Sequence, residues 1–247
     1  FEFLKKTNIP VAPSWGAVDL FSSEDEKCAG TFGVAGTRHG NFAVQNSDLL
    51  IVLGCRLNTQ LTGAKIETFA KNAKKIVVDV DEAELTKNNG VKIDLKINLE
   101  LNDFFEKISS LKYSNENYDS WIDKINQWKK EFPVCLPDYF NQSKKVNAYV
   151  FMKQLSEMTG KNDILIPDAS ANLIWAMQAF KIQGQDIFTA FNHSPMGYSM
   201  PATIGTHYAN PKSNVICMIG DGSMQMNIQE LETISFHKIP VKIFVLN

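Results

Sequence analysis

The chain has 247 residues, 44% of them hydrophobic and 21% charged, a composition that excludes disorder and fibrous folds and leaves length for one large or two modest domains. Its 25 Lys and Arg stand against 27 Asp and Glu, a formal charge of -2. That balance supplies neither the field that draws in a nucleic-acid backbone nor a polybasic surface for anionic lipid, so no nucleic-acid and no membrane partner is expected. No apolar run approaches the roughly 20 residues of a membrane-spanning helix, and the opening FEFLKKTNIP lacks the layout of a secretion signal, so a cytoplasmic protein is expected. Cys28, Cys55, Cys135 and Cys217 form no CxxC pair, and buried, reduced thiols are their expected state.

Over residues 1–108, short apolar runs alternate with longer mixed segments, the pattern of strands joined by helical crossovers in a parallel sheet. Residues 33–40, GVAGTRHG, make a glycine-rich loop that can bring main-chain N–H groups to a phosphate. The loop does not follow a strand and open a helix in the order of a dinucleotide fingerprint, so turn chemistry is the preferred reading. Residues 48–53 and 75–80 read as strands, and Leu61, Ala64, Ile66, Phe69 and Ala70 recur at roughly helical spacing between them. Together they predict a βαβ unit. Residues 109–146 change character: Ser, Asn and Lys surround Tyr113 and Tyr118, an amphipathic helix carries Trp121, Ile125 and Trp128, and Pro133 and Pro137 follow. This segment is expected to be an interdomain linker whose tryptophans pack against a domain surface.

A second α/β domain is expected over residues 147–247, beginning with a helix at 147–159, a strand at 163–167 and a helix at about 172–180. Its most informative stretch is NVICMIGDGSMQMNIQELETISFHKIPVKIFVLN, residues 214–247. Residues 215–219 read as a buried strand, Gly220, Asp221 and Gly222 as a turn, Ile228, Leu231 and Ile234 as a helix, and residues 241–246 as a second buried strand. Ligands collect at the carboxyl ends of such strands, and here Asp221 follows the first and Asn247 the second. A carboxylate beside an amide suits a hard cation such as Mg²⁺, which completes its shell with water and phosphate. The flanking glycines leave room for that phosphate, and Gly222 and Ser223 offer N–H groups near a helix start.

With 24 residues between Gly222 and Asn247, this segment resembles the GDG…NN motif of thiamine-diphosphate enzymes, and its wording is similar to the acetolactate synthase-like branch. The resemblance continues upstream in DASANLIW, residues 168–175, and NHSPMGYSMPATIG, residues 192–205. It covers residues 1–108 as well, in GTRHGNFAVQNSDLLIVLGCRLNTQLTG and VVDVDEAEL. It implies an α/β chain with parallel sheets flanked by helices, as a central Rossmann-like domain at 1–108, a linker at 109–146 and a thiamine-diphosphate-binding domain at 147–247. The implied activity is Mg²⁺-dependent decarboxylation of a 2-oxo acid, pyruvate by family default, with carboligation to a second carbonyl compound, in a homodimer or homotetramer. The acceptor, whether pyruvate, another aldehyde or a keto-sugar, is left open.

By that resemblance Asp221 is a metal ligand. Ser170, Ala171, Asn172, Gly220, Gly222 and Ser223 lie around the diphosphate, Ser194 offers a main-chain carbonyl to the aminopyrimidine, and Met196 is the wedge beneath the bent cofactor. A thioether is apolar and polarizable and suits that elbow, although core filler is the ordinary role of a methionine. The family motif ends in two asparagines and this chain reads only the first. The glutamate that activates the aminopyrimidine belongs to a domain of a partner subunit, so no catalytic residue is assigned, and the chain is expected to be a piece of a longer polypeptide. The family's central domain can carry FAD near an Arg-Phe-Asp-Asp-Arg stretch; here Arg56, Leu57, Asn58, Thr59 and Gln60 stand there, which leaves Arg56 either on a phosphate or exposed and salt-bridged. His193 can orient substrate or serve structure. A non-catalytic nucleotide-binding or assembly module and a flavin or NAD oxidoreductase are the alternatives.

Overall fold

A computed structural model describes residues 2–111, 117–142 and 144–247. The chain forms two compact units. The first comprises Phe1–Ser14 and Glu26–Pro133, and the second Trp15–Asp25 and Val134–Asn247. Both are α/β with an all-parallel sheet, as the alternation of apolar runs and mixed segments predicts. Among the described residues no helix is long and apolar enough to cross a membrane.

In the first unit, β1 (Leu49–Leu53), β2 (Lys74–Asp79) and β3 (Leu95–Asn98) pair in that order, Ile51 opposite Ile76 and Val78 opposite Ile97. The unit's helices are α1 (Glu2–Thr7), α2 (Arg38–Gln45), α3 (Thr59–Thr62), α4 (Glu82–Thr86), α5 (Leu101–Ser109) and α6 (Asp119–Glu131). One core gathers Val52 and Val77 from the sheet with Phe32, Val44, Leu57, Phe69 and Leu85. The helical crossover expected at 61–73 does not form. α3 ends at Gly63 (φ 80°), and after one 3-10 turn at Ile66–Thr68 the backbone turns left-handed at Ala70 (φ 43°). Tertiary bonds hold that turn: Gln45 Oε1 accepts from Ala70 N–H at 2.8 Å, and the Lys75 ammonium donates to the carbonyls of Ala70 and Ala73 at 2.7 and 3.0 Å.

The glycine loop at 33–40 leads into α2, where Thr37 is the cap and accepts from Gly40 N–H at 3.1 Å, but it follows no strand among the described residues, so the fingerprint order is absent as expected. Its polar groups are spent locally. Gly33 exchanges two 2.9 Å bonds with the Asn41 amide, and Thr37 N–H donates to Thr31 O at 2.9 Å. Of the expected linker, residues 112–116 and 143 lie outside the described residues. The rest divides between the units. α6 packs into the first through Ile125, which is fully buried, with Trp121 and Trp128 edge to face at 5.6 Å. The amphipathic pattern thus reports a helix that shares a core with Ala29 and Ala43.

The second unit is a four-stranded sheet of order β5-β4-β6-β7, with β4 at Asp163–Pro167, β5 at Asp186–Ile187, β6 at Asn214–Gly220 and β7 at Lys242–Leu246. Both faces are covered, which is why β4 and β6 are apolar after their first residue rather than alternating. One face, with Leu165, Ile216 and Met218, packs on α7 (Ala148–Glu157) and α8 (Ala171–Ala179). On the other, Ile164, Ile166 and Val215 form one cluster and Cys217 and Ile219 another, the latter with Met200 of α9 (Ser199–Ala209). The turn expected at 220–222 does not form: Gly220 ends β6, and Asp221 and Gly222 open a short helix, α10 (Asp221–Met226), directly from the strand; the helix expected around 228–234 is α11 (Glu230–Phe236), with Ile228 half exposed ahead of it. Trp15–Asp25 also belongs here: Val18 enters the core, Ile187 N–H donates to Asp19 Oδ2 at 3.2 Å, and Ser23 and Ile182 exchange two 2.9 Å bonds. All four cysteines are free; Cys28 and Cys217 are buried as expected, whereas Cys55 and Cys135 are partly exposed.

Candidate functional site

The strand order of the second sheet reverses beside β4. The chain leaves β4 for β5 on one side and returns through α9 to β6 on the other, so the connections after β4 and β6 diverge. Such a switch point opens a crevice at the carboxyl edge of a parallel sheet. Pro167 pairs with Met218 and Gly220 with Leu246, which brings Asp168, Asp221 and Asn247 to one edge of the sheet.

Three segments meet there. After β4, Ser170 takes a left-handed backbone (φ 64°) ahead of α8, and Asn172 in the first turn of that helix is buried. After β6, Gly220 leads into α10, whose first residues are Asp221, exposed, Gly222, and Ser223, buried. A Cβ at Gly220 would stand 3.2 Å from Asn172 Nδ2, so the Asn172 amide lies close against the main chain of the second segment. Asn172 therefore closes the gap between the two loops. Ahead of α9, the loop carrying Ser194 (φ 43°), Met196 and Gly197 (φ 84°) forms the third wall. Met196 is 49% exposed, so it fills no core here, and its Cε lies 3.5 Å from where a Gly222 Cβ would be.

Asp168 joins these walls. Its carboxylate is inaccessible to solvent and accepts from Gly197 N–H at 3.1 Å and Ser199 N–H at 2.9 Å. Burial pushes the carboxyl up, but bonds from the Ser199 and Ala169 main chain and from the Ser223 and Ser199 hydroxyls outweigh it and hold the pKa below 3.8. Across the loop, Asn227 Nδ2 donates to Gly197 O at 2.9 Å. Neither Asp168 nor Asn227 was among the candidates from sequence. The one signal for Asp168 is a charged residue directly after a buried strand; Asn227 carries none, since only the fold brings α10 against the Met196 loop.

The residues singled out from sequence, Ser170, Ala171, Asn172, Ser194, Met196, Gly220, Asp221, Gly222 and Ser223, all fall in these three segments. His193 is exposed beside them. Among the described residues no group of three or more His, Cys, Asp or Glu side chains is arranged around a metal position. In the first unit, Arg56 is exposed and salt-bridged, its Nε 3.5 Å from Glu84, and Lys87 bonds the same carboxylate and Arg56 O. A small crevice lined by Cys55, Arg56, Leu57, Asp79, Glu84 and Lys87, among others, opens at that point.

A glycine-flanked aspartate at the switch point of a parallel sheet is the arrangement of a phosphate- and cation-binding α/β domain. Residues 1–108 match the family described as thiamine pyrophosphate enzyme, central domain, and residues 168–247 that described as thiamine pyrophosphate enzyme, C-terminal TPP binding domain. The chain belongs to the thiamine pyrophosphate enzymes. It is similar to proteins named acetolactate synthase large subunit from Cyanidium caldarium, at 36% identity over 97% of this chain and 41% of that one, and acetolactate synthase 1, chloroplastic, from Zea mays, at 34% over 99% and 38%. A probable acetolactate synthase large subunit from Methanococcus aeolicus is 34% identical over 97% of this chain and 42% of its own. The chain thus spans about two fifths of the length of the curated relatives it matches.

Proposed function

We propose that the carboxyl edge of β4 and β6 binds the diphosphate of thiamine diphosphate with Mg²⁺, and that the complete protein decarboxylates a 2-oxo acid, pyruvate in the first instance, and joins the product to a second carbonyl compound. The observation that carries this reading is the Gly220-Asp221-Gly222 junction of β6 and α10, placed at a switch point opposite Met196. The residues present fit the cofactor. Asp221 is an exposed hard-oxygen donor of the kind Mg²⁺ takes when water and phosphate fill its other positions. Glycine at 220 and 222 keeps the approach to the main chain open, and because the Ser223 hydroxyl is engaged by Asp168, that residue offers phosphate its N–H group.

When bound, the cofactor supplies the electron sink for cleaving the bond to the carboxylate. The chain's own residues bind and orient: Asp221 holds the cation, the first turns of α8 and α10 face the diphosphate, and Met196 fills the space over Gly222 without competing for hydrogen bonds. The activating glutamate comes from a partner subunit in a homodimer or homotetramer, and placement in the cytoplasm belongs to the same proposal. Flavin does not. Arg56 and Lys87, the cations at the corresponding edge of the first sheet, both engage Glu84, and the glycine-loop groups bond within the loop.

Calorimetric titration of the complete protein with thiamine diphosphate at fixed Mg²⁺ tests the reading. Saturable binding is expected, and Asp221→Ala should weaken it at least about tenfold, which corresponds to about 1.4 kcal/mol. An unchanged affinity would remove Asp221 from the site, and no saturable binding in the parent would leave an assembly module as the better account.

A further inference from the structure

Gly197 is held on both of its polar groups by side chains from opposite walls of the crevice. Its N–H donates to Asp168 Oδ1 at 3.1 Å, and its carbonyl accepts from Asn227 Nδ2 at 2.9 Å. The space around it is closed: a Cβ would fall 2.9 Å from Asn227 Nδ2, 3.0 Å from Met226 Cβ and 3.2 Å from Ser223 O, and φ is 84°. No side chain is accommodated there, and the residue before it, Met196, leaves this fixed point toward Gly222.

Asp168 is the deeper anchor. A carboxylate has about four lone-pair positions, and this one is met by neutral donors from β4's own end, from the start of α9 and from α10, with no ion pair to a cation among the described residues. A buried charge satisfied wholly by oriented dipoles fixes their mutual geometry, since any donor that drifts leaves the charge under-solvated. Asn227 is different: it is partly exposed at the end of α10, so truncating its side chain opens a path by which water can reach Gly197 O and replace the lost bond.

We infer that Asp168 and Asn227 act as a clamp on Gly197 that sets the distance between Met196 and the start of α10 at Asp221 and Gly222, and so governs the conformation of a bound cofactor rather than its affinity. Both are positioning residues, and the inference rests on the proposal that thiamine diphosphate binds here. The diphosphate and metal contacts lie on the α8 and α10 side of the crevice; the clamp acts on the loop facing them. Loosening the loop should therefore leave the anchoring contacts in place and release the bend.

The decisive variant is Asn227→Ala in the complete protein, with Asp168→Asn beside it. An amide at 168 would turn an NH₂ toward one of the two N–H donors, so its misfolding is a real outcome, and Asn227→Ala carries the test because its site tolerates water. Three readouts are needed. In the cofactor-free protein, amide exchange at Met196 and Gly197 should accelerate by about tenfold or more in Asn227→Ala. Calorimetry at fixed Mg²⁺ should give a Kd for thiamine diphosphate within about threefold of the parent. Thiamine diphosphate is achiral and gains near-ultraviolet circular dichroism only when held in one asymmetric conformation, so the signal per bound cofactor should lose most of its amplitude. Unchanged exchange and unchanged dichroism would overturn the clamp while leaving the cofactor proposal intact. A dichroism loss matched by a proportionate loss of affinity would make Asn227 a binding group and overturn the positioning role. A parent protein that binds no thiamine diphosphate would overturn the underlying proposal instead, with the exchange readout alone then deciding whether Asn227 restrains the loop.

Discussion

His39 sits behind the glycine loop with Nδ1 2.7 Å from Ala29 O and 3.2 Å from Thr37 Oγ1. Burial pulls its pKa below 6.5, the bond to Ala29 opposes that, and nearby Lys129 adds to the lowering. A histidine with a lower pKa in the folded state binds protons more readily when unfolded. Its contribution to stability is therefore complete above pH 6.5 and is lost as the pH falls from there toward the folded pKa. Thermal unfolding of the parent should shift downward between about pH 7 and pH 5, and His39→Asn, which keeps a donor for Ala29 O, should flatten that slope. An identical slope in the variant would assign it to other groups. At Met196 the same scale separates two roles that sequence left open. A half-exposed thioether contributes little to a core, so Met196→Ala should leave the melting temperature nearly unchanged and lower turnover per cofactor-loaded site by about a hundredfold, the usual size of a positioning loss. Active-site titration with steady-state kinetics on the complete protein measures it, and normal turnover per loaded site would end the wedge assignment.

Among the elements, the strands were the most legible. β1, β2, β4 and β6 lie in apolar runs that end in Gly or an acidic residue, and β7 in one that ends in Asn247; in β4 and β6, which are buried along nearly their whole length, no polar positions blur the run. The crossover at 61–73 was misread for the opposite reason. Apolar residues there recur at helical spacing, but of Leu61, Ala64, Ile66, Phe69 and Ala70 only Phe69 and Ala70 are buried, in a turn that side chains outside the segment hold together, while Ala64 is exposed. Lys75 shows how: a lysine opening a strand reads as a solvated end, yet it is 4% exposed, and its ammonium satisfies two carbonyls of the turn. Lys75→Met should cost about 2 kcal/mol, since burying a carbonyl without a partner costs about 1–3 kcal/mol, whereas exposed Lys74→Met should stay within about 0.5 kcal/mol. Urea unfolding of the two variants checks this, and equal midpoints would show that water reaches the turn.

For the molecule as a whole, the candidate site occupies one edge of one sheet. Thiamine diphosphate with Mg²⁺ should therefore slow amide exchange at 168–172 and 219–224, at the carboxyl ends of β4 and β6, and at 196–199 in the loop facing them, and leave 162–164 and 213–215 at the amino ends of the strands unchanged. Uniform protection of both ends would mean that the ligand acts on the fold as a whole, and protection confined to other segments would move the site.

Composition and pattern by themselves determined the α/β class, two sheets, and the glycine-flanked aspartate that points to a phosphate and a cation, because these depend on local runs of residue type. The path of the chain was decided elsewhere. Trp15–Asp25 belongs to the second unit although its neighbours in sequence belong to the first, and helix α6 joins a core where a linker was expected; both choices turn on which distant surface offers a matching apolar face. The clamp on Gly197 is likewise invisible in one dimension. Asp168, Gly197 and Asn227 are 29 and 30 residues apart, and only the order of strands in the sheet, which no local pattern encodes, brings two polar side chains to the two ends of one glycine.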